Sequence, residues 1–330
     1  HDLVGSAPEV VNRVRHGGFL RDAELFEHGF FSISFAEAMA MDPQQRLLLE
    51  RGYSAMHVAG LSKAALMGAI IAVNVGQWQS EFASVLMGSP AVRSVYASSG
   101  FTCSVTCGRV SFALGLQGPC ASYDTACSAS LVANHGSVRA LQQSECDAAL
   151  SAGVNMMLDP VAMRINAIAS FTSLKGRSHT FDARADGYAR GEAIDTIACQ
   201  SNDKDAAILA LGSAVRHDGW SASLTAPNGQ AQRGVLDAAL TDAQLVTAQV
   251  AALEAHGTGT ALGDPIEAGA VSAVMLAQRL SSEALAVGSL KANAGHTEPG
   301  AGLAGALRQL MQLRNGAMSP NAQLRLLNPH

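Results

Sequence analysis

One stretch constrains this chain more than any other. Cys120 to Asp124 has strand length, and from Leu131 and Val132 to Val138 and Leu141 apolar residues recur on helical faces. Between them lies Thr125-Ala126-Cys127-Ser128-Ala129-Ser130, a turn of small residues. Strand, sharp turn and helix is the frame of a nucleophile elbow, which holds a reactive side chain at the top of a sheet. A thiol at that point sits near the positive end of the helix dipole, which favours the thiolate, and beside free backbone N–H groups that an oxyanion can use. The competing reading of Cys127 is a buried structural cysteine, a common fate for that residue. Local sequence leaves the two open.

The rest of the chain repeats the alternation. A helix is expected from Asp42 to Ala59, with Pro43 in its first turn, and another from Ser104 to Leu114, closed by Gly115 and Gly118. Strand-like runs cover Leu66–Val75, Ala148–Val154, Ala206–Val215, Val250–Ala255 and Leu285–Leu290. Helical stretches pass through Val235 and Leu240, Ala268–Leu280 and Gly302–Leu313. Segments 1–35, 171–192 and 217–230 read as loops, and Asp203–Asp205 as a turn. Strands alternating with helices imply α/β layers. Two such series, before and after about residue 200, suggest a duplicated architecture without a visible sequence repeat.

Two histidines share one context. His256 follows the run Val250–Ala255 and opens into Gly257-Thr258-Gly259-Thr260, and His296 follows Lys291-Ala292-Asn293-Ala294-Gly295. A histidine at the carboxyl end of a strand suits a site at the top of an α/β sheet. Imidazoles there donate hydrogen bonds to a carbonyl oxygen or move protons near neutral pH. A loop histidine bonded to backbone is the alternative for each, but two of them with an elbow cysteine form a constellation. Lys291 is read either as tuning the imidazoles or as a structural ion pair.

Composition excludes several classes. Hydrophobic residues are 48% and charged residues 15%, with mean hydropathy +0.16, which is too apolar for a disordered chain. A net charge of −5 without a basic block argues against nucleic acid as a partner. Six scattered cysteines, with no matched C-x-x-C pairs, point to reduced thiols in an intracellular protein rather than to disulfides or zinc; no metal is expected, and Cys103 and Cys107 lack a second pair. No apolar run reaches the length of a membrane span, and no signal peptide is seen.

Taken together, these residues resemble the β-ketoacyl synthases, especially the ketosynthase domains of modular polyketide synthases. Asp124 to Ser130 is similar to that family's active-site motif, and Glu254–Thr260 and Lys291–Thr297 to its two histidine motifs. Met41–Arg46, Ala185–Tyr188 with Arg190-Gly191-Glu192, Leu224–Asn228 and Gly263–Glu267 also match. The resemblance spans nearly the whole chain, 1–330, and divides it into a half carrying the nucleophile (1–200) and a half carrying the histidines (201–330).

That resemblance implies an α/β thiolase-like fold of five layers, α-β-α-β-α, with two similar halves, normally a homodimer. It implies decarboxylative Claisen condensation in polyketide or fatty-acid biosynthesis, an acyltransferase activity. Cys127 would take an acyl group from the phosphopantetheine of an acyl carrier protein, His256 and His296 would stabilise the enolate from a malonyl-type extender, and Lys291 would support them. No cofactor is expected on the domain itself, and the setting would be cytoplasmic, with organelle targeting left open by the missing N-terminus. Met156, Phe171, Thr225, Thr258 and Thr260 are the pocket candidates. The family's first strand and its glycine-rich Gly-Phe-Gly-Gly-Thr-Asn loop are not found, so the sequence reads as incomplete at both ends. Arg51-Gly52-Tyr53 stands where the family usually has a tryptophan, and His57-Val58 where it has an acidic pair. A thiolase would need a second catalytic cysteine late in the chain, but the last is Cys199. A non-condensing relative would typically lack the cysteine or a histidine.

Overall fold

The helix Pro43–Val58 begins where the sequence places it, because the Asp42 side chain accepts a hydrogen bond from Gln44 N at 2.8 Å and Pro43 needs no N–H in the first turn. In the computed structural model, which describes residues 6–201, 208–277, 279–280 and 283–330, this helix covers part of a four-stranded sheet. Ile71–Gly76 lies inside that sheet, parallel to Cys120–Tyr123 on one side and to Ala148–Asn155 on the other. Ala193–Gln200 closes the far edge, antiparallel to Ala148–Asn155.

The two faces of the sheet are built differently. Ile71, Val73, Val75, Leu150 and Val154 point to one side and pack against the helices Pro43–Val58 and Cys103–Leu114 through Leu48, Leu49, Met56, Val110 and Leu114. Ala72 and Ala149 alternate to the other side, where Ala140 of the helix Ala129–Gln142 meets them. Small residues let that helix approach closely. A Cβ on Gly76 would stand 2.3 Å from Ser130 N, and one on Gly153 would stand 2.6 Å from Ser130 Cβ. Both glycines are therefore required by the close approach of the cysteine-bearing turn to the sheet.

A smaller unit holds the second series. Ala252–Glu254 runs parallel to Ala286–Gly288, and the helices Gly229–Ala243 and Gly263–Val271 pack together beside them. The helix Ala301–Asn315 bridges the two units by touching the larger sheet, the Ala129–Gln142 helix and Ala252–Glu254. Leu303 N donates to Ser130 Oγ at 3.1 Å, a direct tie across that junction.

Several expectations shift. The strand expected over Leu66–Val75 starts at Ile71, after a short helix Lys63–Leu66 capped by Ser62. Residues 208–215 of the run Ala206–Val215 form no strand, whereas 206–207 and the turn at Asp203–Asp205 lie outside the described residues. An apolar run becomes a strand only where a neighbour supplies ladder bonds. Ser213 is held instead by Asp242 and Arg139. The long Ala193–Gln200 strand was not expected, because Asp195, Thr196 and Gln200 interrupt its apolar pattern. No helix among the described residues is long and apolar enough to cross a membrane.

Candidate active site

Cys127 sits in a single 3-10 turn, Ala126–Ser128, between the strand Cys120–Tyr123 and the helix Ala129–Gln142. Ala126 takes φ +53°, a left-handed conformation that a non-glycine residue adopts only when its surroundings hold it there. Asp124 Oδ1 accepts from Ala126 N at 3.2 Å, and the Thr125 and Ser128 hydroxyls meet at 2.8 Å, which supports the turn. The elbow read from the sequence is present.

Two imidazoles converge on the thiol. His296 Nε2 lies 3.0 Å from Cys127 Sγ. The His256 and His296 ring centroids are 5.7 Å apart, with the planes at 89°. Sγ and one nitrogen from each ring lie within 4.8 Å of one another.

The tautomer of His296 follows from its other side. Glu298 N donates to His296 Nδ1 at 3.1 Å, so Nδ1 is an acceptor and the single proton of the neutral ring belongs on Nε2. Burial, followed by the Lys291 ammonium, pushes the His296 pKa well down, which keeps the ring neutral. His296 is thus set as a hydrogen-bond donor toward Cys127 Sγ. The same assignment disfavours a metal in this Cys-His-His cluster. A metal-ligating histidine gives its remaining ring N–H to an acceptor, but here Nδ1 faces a donor and Nε2 carries the proton.

His296 is clamped by its backbone as well. His296 N donates to Ala189 O at 2.7 Å, and Gly191 N donates to His296 O at 2.8 Å. Arg190, fully buried between these bonds, spans two carboxylates: Nε and Nη2 each donate to Glu298 at 2.8 Å, and Nη2 also donates to Glu81 at 3.0 Å. Asn155 Nδ2 adds a bond to Glu298 at 3.1 Å. The Tyr188 ring meets the imidazole edge-on at 4.9 Å. Arg190 and Asn155 hold the Glu298 side chain while its backbone N–H fixes the His296 tautomer.

His256 is held by a carboxylate behind its loop. Glu267 accepts from His256 N at 2.6 Å and from Gly257 N at 2.8 Å. The ring itself retains surface in the cleft, yet surrounding protein and then Lys291 lower its pKa to about 3, so it too is neutral near pH 7. Lys291 is buried, and its pKa is lowered by desolvation, partly opposed by the charges of Glu267, Cys127 and Glu254.

The cysteine departs from expectation. Desolvation pushes its pKa up to about 11; Lys291 opposes this and Glu298 adds to it. At neutral pH the resting species is therefore the thiol, and the helix terminus does not by itself make a standing thiolate.

A cavity of about 760 Å³ opens over these groups. Cys127, His256, Lys291 and Thr225 line it, as do His217 and Leu224 from the loop before the helix Gly229–Ala243. Phe171, Met156, Thr258 and Thr260, the other pocket candidates, do not. Phe171 is half exposed elsewhere, Met156 is in the interior, and the Thr258 and Thr260 hydroxyls face each other at 3.2 Å. Strand and turn length alone could not rank these positions, because their placement depends on how loops far apart in sequence fold together. Glu298 was missed altogether, and Arg190 and Glu267 were noticed only as parts of motifs. Of the three only Arg190 stands beside a glycine, Gly191, and nothing in residue type marked Glu267 or Glu298 as partners of the histidines.

Comparison with known proteins decides the family. Residues 2–203 match the model described as "Beta-ketoacyl synthase, N-terminal domain", and residues 207–325 match "Beta-ketoacyl synthase, C-terminal domain". The chain belongs to the β-ketoacyl synthase family. It is 40% identical over 337 aligned residues to a phenolphthiocerol/phthiocerol polyketide synthase from Mycobacterium tuberculosis, covering 99% of this chain and 18% of that protein. Against the pikromycin polyketide synthase component PikAII of Streptomyces venezuelae the identity is 42%, over 94% of this chain and 8% of the relative. The ketosynthase therefore spans less than a fifth of these relatives. Among solved structures, the oxazolomycin ketosynthase domain OzmH KS7 of Streptomyces albus JA3453 superposes with TM-score 0.89 at 32% identity, covering 95% of this chain and 56% of that one. The ketosynthase from module 6 of the bacillaene synthase of Bacillus subtilis 168 gives 0.87 at 31%, covering 94% and 55%. These likenesses show the thiolase-like α/β fold of ketosynthase domains.

Proposed function

We propose that this ketosynthase domain carries out decarboxylative Claisen condensation in polyketide assembly, with Cys127 as the nucleophile and His256 and His296 as hydrogen-bond donors. The observation that carries this is the 3.0 Å approach of His296 Nε2 to Cys127 Sγ in a cleft that His256 shares. Phosphopantetheine of an acyl carrier protein delivers both substrates, and no cofactor resides on the domain.

In the first half-reaction the Cys127 thiolate attacks the carbonyl of an acyl thioester. The carbonyl oxygen becomes an oxyanion within reach of the elbow's backbone N–H groups, and the carrier thiolate leaves and takes up a proton. Because the Cys127 pKa is high, the attacking species is formed only in small amount and attacks from a site with little solvation to lose. In the second half-reaction the malonyl carboxylate leaves as CO2, and its C–C bonding pair passes into an enolate. The neutral imidazoles, His296 donating through Nε2, stabilise the enolate oxygen without protonating the carbanion. The α-carbon then attacks the Cys127 thioester and expels the thiolate, which leaves a β-ketoacyl carrier. Lys291 acts as a positioning residue: burial lowers both imidazole pKa values most, and the buried charge of Lys291 adds to it, so the rings stay neutral.

The amino-terminal half supplies the nucleophile and the carboxyl-terminal half the histidines, so the junction through Ser130 and Leu303 belongs to the catalytic architecture. We also propose a homodimer in the cytoplasm. Val161, Ile165 and Ile168 on the helix Pro160–Ile168 are all more than 40% exposed, an apolar face suited to a second copy. The test of function is incubation with acyl donor and malonyl carrier protein, followed by mass analysis of the carrier. A β-ketoacyl carrier supports the reading. Acyl transfer with no new C–C bond would assign the domain to the non-condensing class.

A further inference from the structure

Residues 319–328 follow the last helix and line no part of the cavity, yet they are bonded to the supports of both histidine loops. Asn321 Oδ1 accepts from Ser289 N at 3.0 Å, and Pro320 O accepts from Asn293 Nδ2 at 3.2 Å. Ser289 is fully buried just after the strand Ala286–Gly288. Its Oγ meets His256 O and Lys291 N at 3.4 Å each, so one small side chain touches the backbone of both motifs. The fit there is close, because a Cβ on Gly257 would stand 2.8 Å from Ser289 Cβ. Asn293 belongs to the short helix Lys291–Ala294 that leads to His296.

The other end of the segment is anchored on Asp182, which has no exposed surface. Asp182 Oδ2 accepts from Arg325 N at 2.7 Å and from Leu326 N at 3.1 Å, and Asn328 N donates to Phe181 O at 2.8 Å. Beside that anchor Thr180 Oγ1 donates to Gly257 O at 2.6 Å. Asp264 accepts from Phe181 N at 2.8 Å and from Gly259 N at 3.0 Å. The loop that carries His256 is therefore held at Ser289 on one side and at Thr180 and Phe181 on the other, and residues 319–328 grip both holds. None of these bonds reaches the Ala126–Ser128 turn that carries Cys127.

We propose that residues 319–328 are a strap that positions the two imidazoles for condensation, with Asn321 as a positioning residue. The proposal rests on the condensation reading above and deepens it by separating control of the two half-reactions. Acylation depends on the Cys127 turn, which the strap does not touch. Enolate stabilisation depends on where the imidazole donors stand, and a displacement of about 1 Å there can cost about 100-fold.

The test compares the full chain with Asn321→Ala, Asn321→Asp and Asn293→Ala in two assays. Acylation of Cys127 by an acyl thioester is read as intact mass, and condensation is read as β-ketoacyl formation from malonyl carrier protein. Asn321→Ala is expected to acylate within about twofold of the parent, while the condensation kcat falls about tenfold and the KM for malonyl carrier stays within about threefold. Asn321→Asp keeps an acceptor for Ser289 N and should restore condensation to within about threefold of the parent. Asn293→Ala, an exposed change that removes the Pro320 bond, should move the ratio of the two rates in the same direction by a smaller factor. Equal losses in both assays for Asn321→Ala, or condensation at the parent rate, would overturn the proposal. A parent chain that acylates but never condenses would overturn the condensation reading itself, and the strap's role with it.

Discussion

The Glu298 backbone N–H donates to His296 Nδ1 at 3.1 Å, and through that bond it decides which way the imidazole proton points. Nε2 carries the proton and lies 3.0 Å from Cys127 Sγ. A ring fixed in this way is a donor and a poor base, which suits stabilising an enolate more than deprotonating a thiol.

His296→Ala should therefore separate the half-reactions. Self-acylation is expected to stay within about tenfold of the parent, while condensation falls by at least about 100-fold, the scale of losing one oxyanion donor. Parallel measurement of acyl-enzyme by mass and of CO2 release checks this. Decarboxylation that survives the change would contradict the role.

Acylation of Cys127 should speed up with pH. For a thiol with a pKa of about 11, the thiolate fraction grows about tenfold per pH unit between pH 7 and 10. Stopped-time acylation at fixed ionic strength reads the slope. A rate that is flat above pH 7 would mean a standing thiolate.

The buried cluster of Arg190, Glu298 and Glu81 predicts a structural cost. Glu298→Gln removes one charge from around a fully buried guanidinium, and a loss of about 3–5 kcal/mol in unfolding free energy is expected. Chemical denaturation measures it. A change below about 1 kcal/mol would show that Arg190 is held by other groups.

Asp195 makes stability depend on pH. Its Oδ2 is inaccessible and has no hydrogen-bond partner among the described residues, beside Gly300 at the start of the helix Ala301–Asn315, and desolvation raises its pKa to about 7 from 3.8. Below pH 3.8 both folded and unfolded states are protonated, and the group contributes nothing. Between that value and about 7 only the unfolded state loses its proton, so stability falls as pH rises. Above that the penalty is constant, roughly 2–4 kcal/mol after allowing for the part of the side chain that meets water. Asp195→Ala should raise the melting temperature at pH 8 and leave it nearly unchanged at pH 4. An equal shift at both would contradict the assignment.

Much of this was legible in the sequence. The run from Cys120 to Leu141 announced strand, turn and helix through local periodicity alone, and the structure bears out each of the three. His256 and His296 were singled out because glycine-rich context after a strand is costly to explain by packing, and the structure brings both rings together beside Cys127. Their partners were not. Glu298 acts on His296 through its main chain, and a backbone N–H leaves no mark on residue type. Arg190 meets Glu298 across 108 residues, a pairing that only the folded chain discloses. The strand Ala193–Gln200 hid for a related reason: Asp195 breaks its apolar alternation, and its eight-residue ladder with Ala148–Asn155 overrides the local pattern. The high pKa of Cys127 was likewise invisible, since helix position was readable from sequence but desolvation was not.

The central claim is that Cys127 is the nucleophile, and intact mass after incubation with an acyl thioester tests it most directly. The expected result is one acyl adduct on the chain that maps to Cys127 and is absent from Cys127→Ala. An adduct of equal occupancy on Cys127→Ala would contradict the claim.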